Sequence, residues 1–397
     1  MRVTVVGAGI LGLAAARLVL ERHPQAQVTV LEKEQRVAAH QTGHNSGVVH
    51  AGLYYAPGSL KAVLCRRGVT LLEAFCAEHR VPYDACGKLV VATEPQELPR
   101  LAAIEERARA NGVPDVARLD AAAMREVEPH VRGLAALHSP RTAIVDYGAV
   151  ARALAGEVRE RGGAVRLGVA VDRVDEGVGD ALIVTTGGER LTADRVLVCA
   201  GLQADVLARA SGRPAAPRIV PFRGEYWRLR PERASLVRGL IYPVPDPALP
   251  FLGVHLTRTV GGSVLVGPNA VLALAREGYG WGAVRPRELA GVLGTAGTWR
   301  LFAAHWRTGV DELARSASRR RFVDAARRYV PELRAQDVVR AAAGVRAQAV
   351  DADGTLVDDF RIDAAGRTTW VRNAPSPGAT SSLAIAEELV GRMGLGG

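Results

Sequence analysis

Val3-Thr-Val-Val6, Gly7-Ala-Gly-Ile-Leu-Gly12 and Val28-Thr-Val-Leu-Glu32 decide the reading of this chain. Residues 3–6 are a short apolar run ending at Gly7, the pattern of a buried parallel strand. Residues 10–22 keep a helical pattern and close at His23-Pro24. Residues 28–31 form a second apolar run, so the segment reads strand–helix–strand with a right-handed crossover. Gly7, Gly9 and Gly12 stand in G-x-G-x-x-G spacing at the strand-to-helix turn, and Glu32 ends the second strand. In that context the pattern is a dinucleotide-binding fingerprint. Gly7 makes the tight turn, Gly9 admits a pyrophosphate against the backbone, and Gly12 lets the helix pack on the sheet. Ile10 and Leu11 open the helix, whose free N–H groups and partial positive charge favour phosphate. Glu32 accepts hydrogen bonds from a ribose 2′-OH and repels a 2′-phosphate, which points away from NADP. Arg2 and the apolar residues up to Leu20 imitate a secretory signal, but the three glycines and the strand that follows favour the sheet.

The rest of the composition narrows the class. The chain has 397 residues, 48% hydrophobic and 23% charged, which is ordinary for a globular protein of two domains or one large composite. Its net charge of +10 is almost all arginine, with lysine only at Lys33, Lys61 and Lys88. The arginines are spread out, apart from one run at Arg319, Arg320 and Arg321, so the basic stripe of a nucleic-acid binder is missing. An acidic substrate or an anionic membrane surface remains open. Cys65, Cys76, Cys86 and Cys199 form no CxxC and no Cys/His cluster, so they read as core thiols in a reducing compartment, with no metal expected. No apolar run reaches the roughly 18 residues of a spanning helix. With its first strand beginning by Val3, the chain is expected to be cytoplasmic, at most peripheral to the inner face of the membrane.

Residues 39–58 are rich in Gly, His, Asn and Tyr without a period, the mark of a functional loop. Helices are expected over 60–79, 98–111, 121–127 and 149–161, and strands over 88–93, 165–178, 181–186 and 195–199. After Pro214, strands at 226–229, 240–244, 254–259 and 263–266 suggest an antiparallel sheet. Helical patterns fill most of 286–329, strand-like pieces lie around Val345 and Thr369, and a last helix spans 379–393. The expected fold class is α/β with an α+β second domain. Residues 1–82, 141–215 and 340–397 would form a Rossmann-like domain, and 83–140 and 216–339 an inserted antiparallel-sheet domain.

FAD and NAD share the glycine fingerprint. The apolar strand 195–199 ends in Ala200-Gly201, a small-residue strand end of the kind that passes under FAD in two-dinucleotide-fold flavoproteins. Pro377, Gly378, Ala379 and Thr380 precede the last helix and would present bare N–H groups to the negative charge of a reduced flavin. No nicotinamide subsite is evident, so FAD is the expected cofactor.

The block His44-Asn-Ser-Gly-Val-Val-His50-Ala-Gly-Leu-Tyr-Tyr55, followed by Pro57-Gly-Ser-Leu-Lys61, resembles the signature of L-2-hydroxyglutarate oxidases and dehydrogenases, within the D-amino-acid-oxidase-like FAD superfamily. Pro221-Phe-Arg-Gly-Glu-Tyr226, Gly253-Val-His-Leu-Thr-Arg258, Val266-Gly-Pro-Asn269 and Val371-Arg-Asn-Ala-Pro-Ser-Pro377 are similar to the same family. The resemblance runs from residue 1 to about 390. It implies a glycine-oxidase-type substrate sheet, FAD, and oxidation of L-2-hydroxyglutarate to 2-oxoglutarate. It adds Lys33, His44, Asn45, Ser46, Gly47, Val171 and Gly344 to the expected cofactor contacts.

Oxidation of a 2-hydroxy acid is expected to proceed by hydride transfer to flavin N5, with a base taking the hydroxyl proton. Histidine suits that base, and His50 and His255 are the two candidates. The carboxylates of a small dicarboxylate call for arginine, here Arg223 or Arg346, with Tyr226 and Thr257 as hydrogen-bond donors. No cysteine lies near the C-terminal motifs, so attachment of FAD through cysteine is not expected. An amine or amino-acid oxidase, a glycerol-3-phosphate-type dehydrogenase and a non-catalytic flavin-bound protein are the alternatives. Oxygen, a quinone and a soluble carrier stay open as electron acceptor.

Overall fold

The computed structural model describes residues 1–177, 179–247 and 252–396. Arg2–Val6 lies at the centre of a six-stranded sheet. It pairs in parallel with Gln27–Glu32 on one side and Arg195–Val198 on the other. Ala164–Leu167 extends the first side, and Thr368–Asn373 and then the antiparallel Arg361–Ala365 extend the second. Strand order therefore reverses at Arg2–Val6, and ligands of such sheets bind outside the strand ends at that switch point. The strands are short and apolar because both faces are covered. The helices Ile10–Arg22, Tyr147–Glu160 and Ser382–Val390 bury Leu13, Leu154 and Leu389 in one cluster on one side. The antiparallel meander Val171–Glu176, Ala181–Thr185 and Arg190–Ala193 packs with Val196, Val198 and Trp370 in another cluster.

A second, eight-stranded sheet runs in the order Val338–Arg340, Trp227–Leu229, Val264–Gly267, His255–Arg258, Leu240–Pro243, Lys88–Ala92, Ala135–Ser139 and Ala117–Asp120. Its pairs are antiparallel except at the middle, where Leu240–Pro243 runs parallel to Lys88–Ala92. That one pairing joins an early and a late segment of the chain into a single sheet. Arg218–Gly224 and Gly344–Val350 pair in a separate three-stranded sheet beside the cleft.

Several expected elements appear within a residue or two, including the helices Leu60–Glu78, Leu98–Ala110 and Ala121–Val127. Ser59 caps the first of these by accepting from the Ala62 N–H at 3.2 Å. Residues 165–178 are not one strand. Ala164–Leu167 edges the parallel sheet, and Val171–Glu176 begins the meander after a break at Gly168, whose φ is +74°. Position 178 of that expected strand lies outside the described residues. The last α-helix starts at Ser382 rather than 379, because residues 377–381 form turns that precede it.

Candidate active site

A cleft of about 800 Å³ runs from the end of Arg2–Val6 to residues of the eight-stranded sheet. At the first end, Gly7 has φ +105°, and a Cβ there would lie 2.4 Å from the Cys199 carbonyl oxygen. A Cβ on Gly12 would lie 2.0 Å from the Gly7 oxygen. At Gly9 an added Cβ meets only Thr42 Oγ1 at 3.4 Å, so the space above it is left for a ligand. No side chain caps the helix at Gly9; Thr42 Oγ1 accepts from the Ile10 N–H at 3.1 Å. The N–H groups of Leu11 and Gly12 have no intrahelical partner. Glu32 is buried, its Oε2 accepting from the Ala8 N–H at 2.8 Å and its Oε1 from the Glu34 N–H at 3.0 Å. A carboxylate retains further lone pairs for a ribose hydroxyl. Lys33 also lines the cleft, its ammonium held by Glu34, by Glu277 at 2.8 Å and by His40 Nε2 at 3.0 Å.

Val171, Ala200, Gly201, His44, Asn45, Ser46, Gly344, Pro377, Gly378, Ala379 and Thr380 line the same cleft. His44 stacks on Tyr279 with centroids 4.0 Å apart and places Nδ1 3.3 Å from the Ala343 oxygen. The Asn45 side chain braces its own loop, donating to the Gln41 and Thr42 carbonyls. Thr380 Oγ1 accepts from the His50 N–H at 3.1 Å and lies 2.9 Å from the Tyr147 hydroxyl, which ties the C-terminal turn to the 44–50 loop.

At the other end the cleft is lined by His50, His255, Tyr226 and Arg346. His255 Nδ1 lies 3.0 Å from the Gly253 carbonyl oxygen, so Nδ1 carries the proton and Nε2 the lone pair. Burial, then the Lys88 and Arg346 charges, push His255 down to about 3. His50 Nε2 lies 3.2 Å from Ser376 Oγ, and burial, then Lys88 and Lys61, push this imidazole down to about 3 as well. Both rings are therefore neutral near pH 7.

The structure does not bring Arg223, Thr257 or Gly47 to the cleft. Phe222 and Arg346 are register partners and share a face, so Arg223, one residue on, points to the other side. There it is 2% exposed, pairs with Glu225 at 3.1 Å and lies over Trp281. Thr257 is fully buried behind Tyr242, with which its hydroxyl interacts. Gly47 has φ +75°, and its oxygen accepts from the Val145 N–H at 2.8 Å in a turn outside the cleft.

Sequence reasoning missed Tyr242, Lys61, Ser376 and Lys88. Tyr242 and Lys61 line the cleft; Lys61 pairs with Asp358 at 2.8 Å. Lys88 is 2% exposed, with Nζ 3.8 Å from the Tyr242 ring centroid and 4.6 Å from that of Tyr54. No carboxylate pairs with it among the described residues, and burial lowers it to about 7. The available signal was rarity: the chain has only three lysines, and all three lie at this site.

A family model described as FAD dependent oxidoreductase matches residues 2–392. The chain belongs to the FAD dependent oxidoreductase family. The L-2-hydroxyglutarate dehydrogenase, mitochondrial, of Caenorhabditis elegans is 46% identical to it over 392 residues, covering 96% of this chain and 90% of the relative. The L-2-hydroxyglutarate dehydrogenase of Escherichia coli K12 is 43% identical over 389 residues, covering 98% and 92%. Among solved structures, the dithionite-reduced, FAD-bound L-alpha-glycerophosphate oxidase of Mycoplasma pneumoniae superposes with TM-score 0.80 at 21% identity, covering 99% of this chain and 94% of that one. Glycine oxidase of Geobacillus kaustophilus gives 0.72 at 18% identity, covering 99% and 94%. These likenesses bear out the expected fold, with its glycine-oxidase-type second sheet. FAD is the cofactor of this FAD dependent oxidoreductase, and its residues fit the group. Gly9 leaves open space beside the bare N–H groups of Leu11 and Gly12, and Ala379 and Thr380 offer N–H groups with no bond in their turn. Cys199 also lines the cleft, but burial pushes its thiol up to about 12, where it stays protonated.

Proposed function

We propose that this FAD dependent oxidoreductase oxidises L-2-hydroxyglutarate to 2-oxoglutarate, acting as a dehydrogenase. The observation that carries the reading is the group at the sheet end of the cleft: His255 with a tautomer that exposes Nε2, beside Arg346 and the buried Lys88 ammonium. The identity of 43–46% to L-2-hydroxyglutarate dehydrogenases over nearly the whole chain supports the substrate.

FAD, when bound, would supply the two-electron acceptor for the oxidation at C2 of the substrate. Arg346 pairs with a substrate carboxylate, and its planar fork sets the orientation of C2. Lys88 adds a positive field from beneath Tyr242. His255 Nε2 takes the hydroxyl proton, and its Nδ1–H bond to Gly253 holds the ring in place. Burial keeps the imidazole unprotonated and free to accept, and the negative charge of the substrate raises its proton affinity. His50, bonded to Ser376, positions the loop that carries the cofactor contacts His44, Asn45 and Ser46. The fingerprint residues Gly7, Gly9, Ile10, Leu11, Gly12 and Glu32 would hold the adenosine diphosphate half of FAD, and residues 377–380 would hold its flavin half. The division into 1–82, 141–215 and 340–397 for FAD and 83–140 and 216–339 for substrate belongs to the same reading.

Anaerobic addition of L-2-hydroxyglutarate to the purified yellow protein tests this. Its visible flavin absorbance should bleach, and glutamate, glycine, glycerol 3-phosphate and the D-enantiomer should leave it unchanged. Bleaching by an amino acid, with none by L-2-hydroxyglutarate, would reject the reading.

A further inference from the structure

L-2-hydroxyglutarate carries two carboxylates, and Arg346 pairs with one of them in the proposed reaction, so the other calls for a second cation. Among the described residues, the other lysine and arginine side chains lining the cleft are Lys33, Lys61 and Arg372. Lys33 stands at the fingerprint end, held by Glu34, Glu277 and His40. Arg372 is 2% exposed and commits both terminal nitrogens, to Asp363 at 3.0 Å and to the Pro214 and Ala216 oxygens at 2.9 and 3.0 Å. Lys61 has a different kind of partner.

Lys61 is the second residue of the helix Leu60–Glu78 and is 7% exposed. Its Nζ lies 5.8 Å from the Tyr55 ring centroid, the Tyr55 hydroxyl interacts with Ser376, and Ser376 Oγ lies 3.2 Å from His50 Nε2. The Lys61 charge accordingly bears on His50, as the Arg346 charge bears on His255. Asp358, which also lines the cleft, pairs with Lys61 at 2.8 Å, and its side chain is 96% exposed against 9% for the lysine. The backbone on both sides of Asp358 is pinned, because Asn373 Nδ2 donates to the Val357 oxygen at 3.0 Å and to the Asp359 oxygen at 2.9 Å. The aspartate is thus a carboxylate on a fixed stem and open to water, and an ion pair with so exposed a partner is weak and readily exchanged. The lysine lacks that freedom, because a buried ammonium without a counter-charge is costly.

We propose that Lys61 recognises the second carboxylate of the substrate, and that Asp358 is the carboxylate which the substrate displaces from it. This assignment rests on L-2-hydroxyglutarate being the substrate. Entry of the dicarboxylate exchanges one carboxylate for another on Lys61, so the buried ammonium is paired before and after. A 2-hydroxy acid whose far end is a methyl group makes no such exchange; it leaves the Lys61–Asp358 pair in place and gains nothing there. Selection against monocarboxylates therefore comes from Lys61, and Asp358 sets how strongly the far carboxylate has to compete.

The test titrates the full-length FAD-loaded protein with glutarate and with butyrate, which lack the hydroxyl that is oxidised, and reads binding from the change in flavin absorbance. The parent should bind glutarate the more tightly. Lys61→Met should weaken glutarate by about tenfold or more and leave butyrate unchanged. In anaerobic flavin reduction the same variant should raise the half-saturating concentration of L-2-hydroxyglutarate far more than it lowers the limiting rate. Asp358→Asn should act in the opposite direction, tightening glutarate about two- to fivefold. The double variant should bind glutarate as Lys61→Met does, because Asp358 acts through Lys61. Asp358 is exposed, so its variant should keep the parental melting temperature and flavin content even if Lys61→Met fails to fold. No loss of glutarate binding in Lys61→Met, equal loss of glutarate and butyrate, or weaker glutarate binding in Asp358→Asn would overturn the assignment while L-2-hydroxyglutarate still bleaches the parent. A parent that L-2-hydroxyglutarate does not bleach would instead reject the substrate, and this assignment with it.

Discussion

The Lys88 ammonium lies 3.8 Å from the ring centroid of Tyr242, on the strand paired beside its own, and no carboxylate balances it among the described residues. A cation over an aromatic face recovers part of the lost hydration, but burial still lowers this lysine to about 7. The unfolded chain holds the proton until about pH 10.4. Stability linked to Lys88 therefore rises as pH goes from 7 to 10. Lys88→Met should raise stability near pH 7 by about 1–3 kcal/mol, by replacing a buried ion with an apolar chain. It should also raise KM for L-2-hydroxyglutarate roughly tenfold, about 1.4 kcal/mol. In the parent, kcat/KM should fall as pH rises through about 7, and the variant should lack that limb. A less stable variant with parental KM would remove Lys88 from substrate attraction.

His255→Asn should keep FAD bound and slow flavin reduction by ~10²–10⁴-fold, the scale of lost general-base catalysis. His50→Asn should cost less, because that ring is engaged with Ser376. Rapid-mixing absorbance under anaerobic conditions measures both. A larger loss at His50 would exchange the two roles.

Both histidines are lowered to about 3 in the folded protein, whereas they titrate near 6.5 in the unfolded chain. The unfolded state thus binds more protons between pH 6.5 and 3, so stability falls as pH drops through that window and is fully present above it. Each ring should account for about 2–4 kcal/mol of the loss. Urea midpoints of the parent, His50→Asn and His255→Asn at pH 7.5 and 4.5 compare them. The variants should lose less than the parent on acidification; equal losses would mean that the rings are not neutralised by the fold.

Gly9→Val should yield folded, colourless protein. A Cβ at position 9 meets only Thr42 Oγ1 at 3.4 Å, so the chain tolerates it while a pyrophosphate does not. Flavin absorbance against protein concentration, with circular dichroism as the fold control, reads this out. Full flavin content would dismiss the phosphate assignment.

The strand–turn–helix at residues 3–22 and Glu32 were legible in the sequence because their constraints are local. A glycine at position 7 is required by φ +105° and by the Cys199 oxygen 2.4 Å from any Cβ, and spacing alone reports it. Helices such as Ala121–Val127 were equally local, started by a capping Asp120. The 44–61 block marked a segment that lines the cleft through His44, Asn45, Ser46, His50 and Lys61, although Gly47 lies in a turn outside it.

Tertiary structure alone decided which arginine faces the cleft. Arg223 and Arg346 sit in motifs of equal appeal, but the register that sets Phe222 opposite Arg346 sends Arg223 to the far face, since side chains alternate along a strand. It alone also put Lys88 beside Tyr242 and within the field of His255. That follows from one parallel pairing, Leu240 with Lys88 through Pro243 with Val91, between segments about 150 residues apart. Short-range pattern carries no record of such a pairing, because side-chain period fixes which face a residue occupies but not which strand will lie next to it.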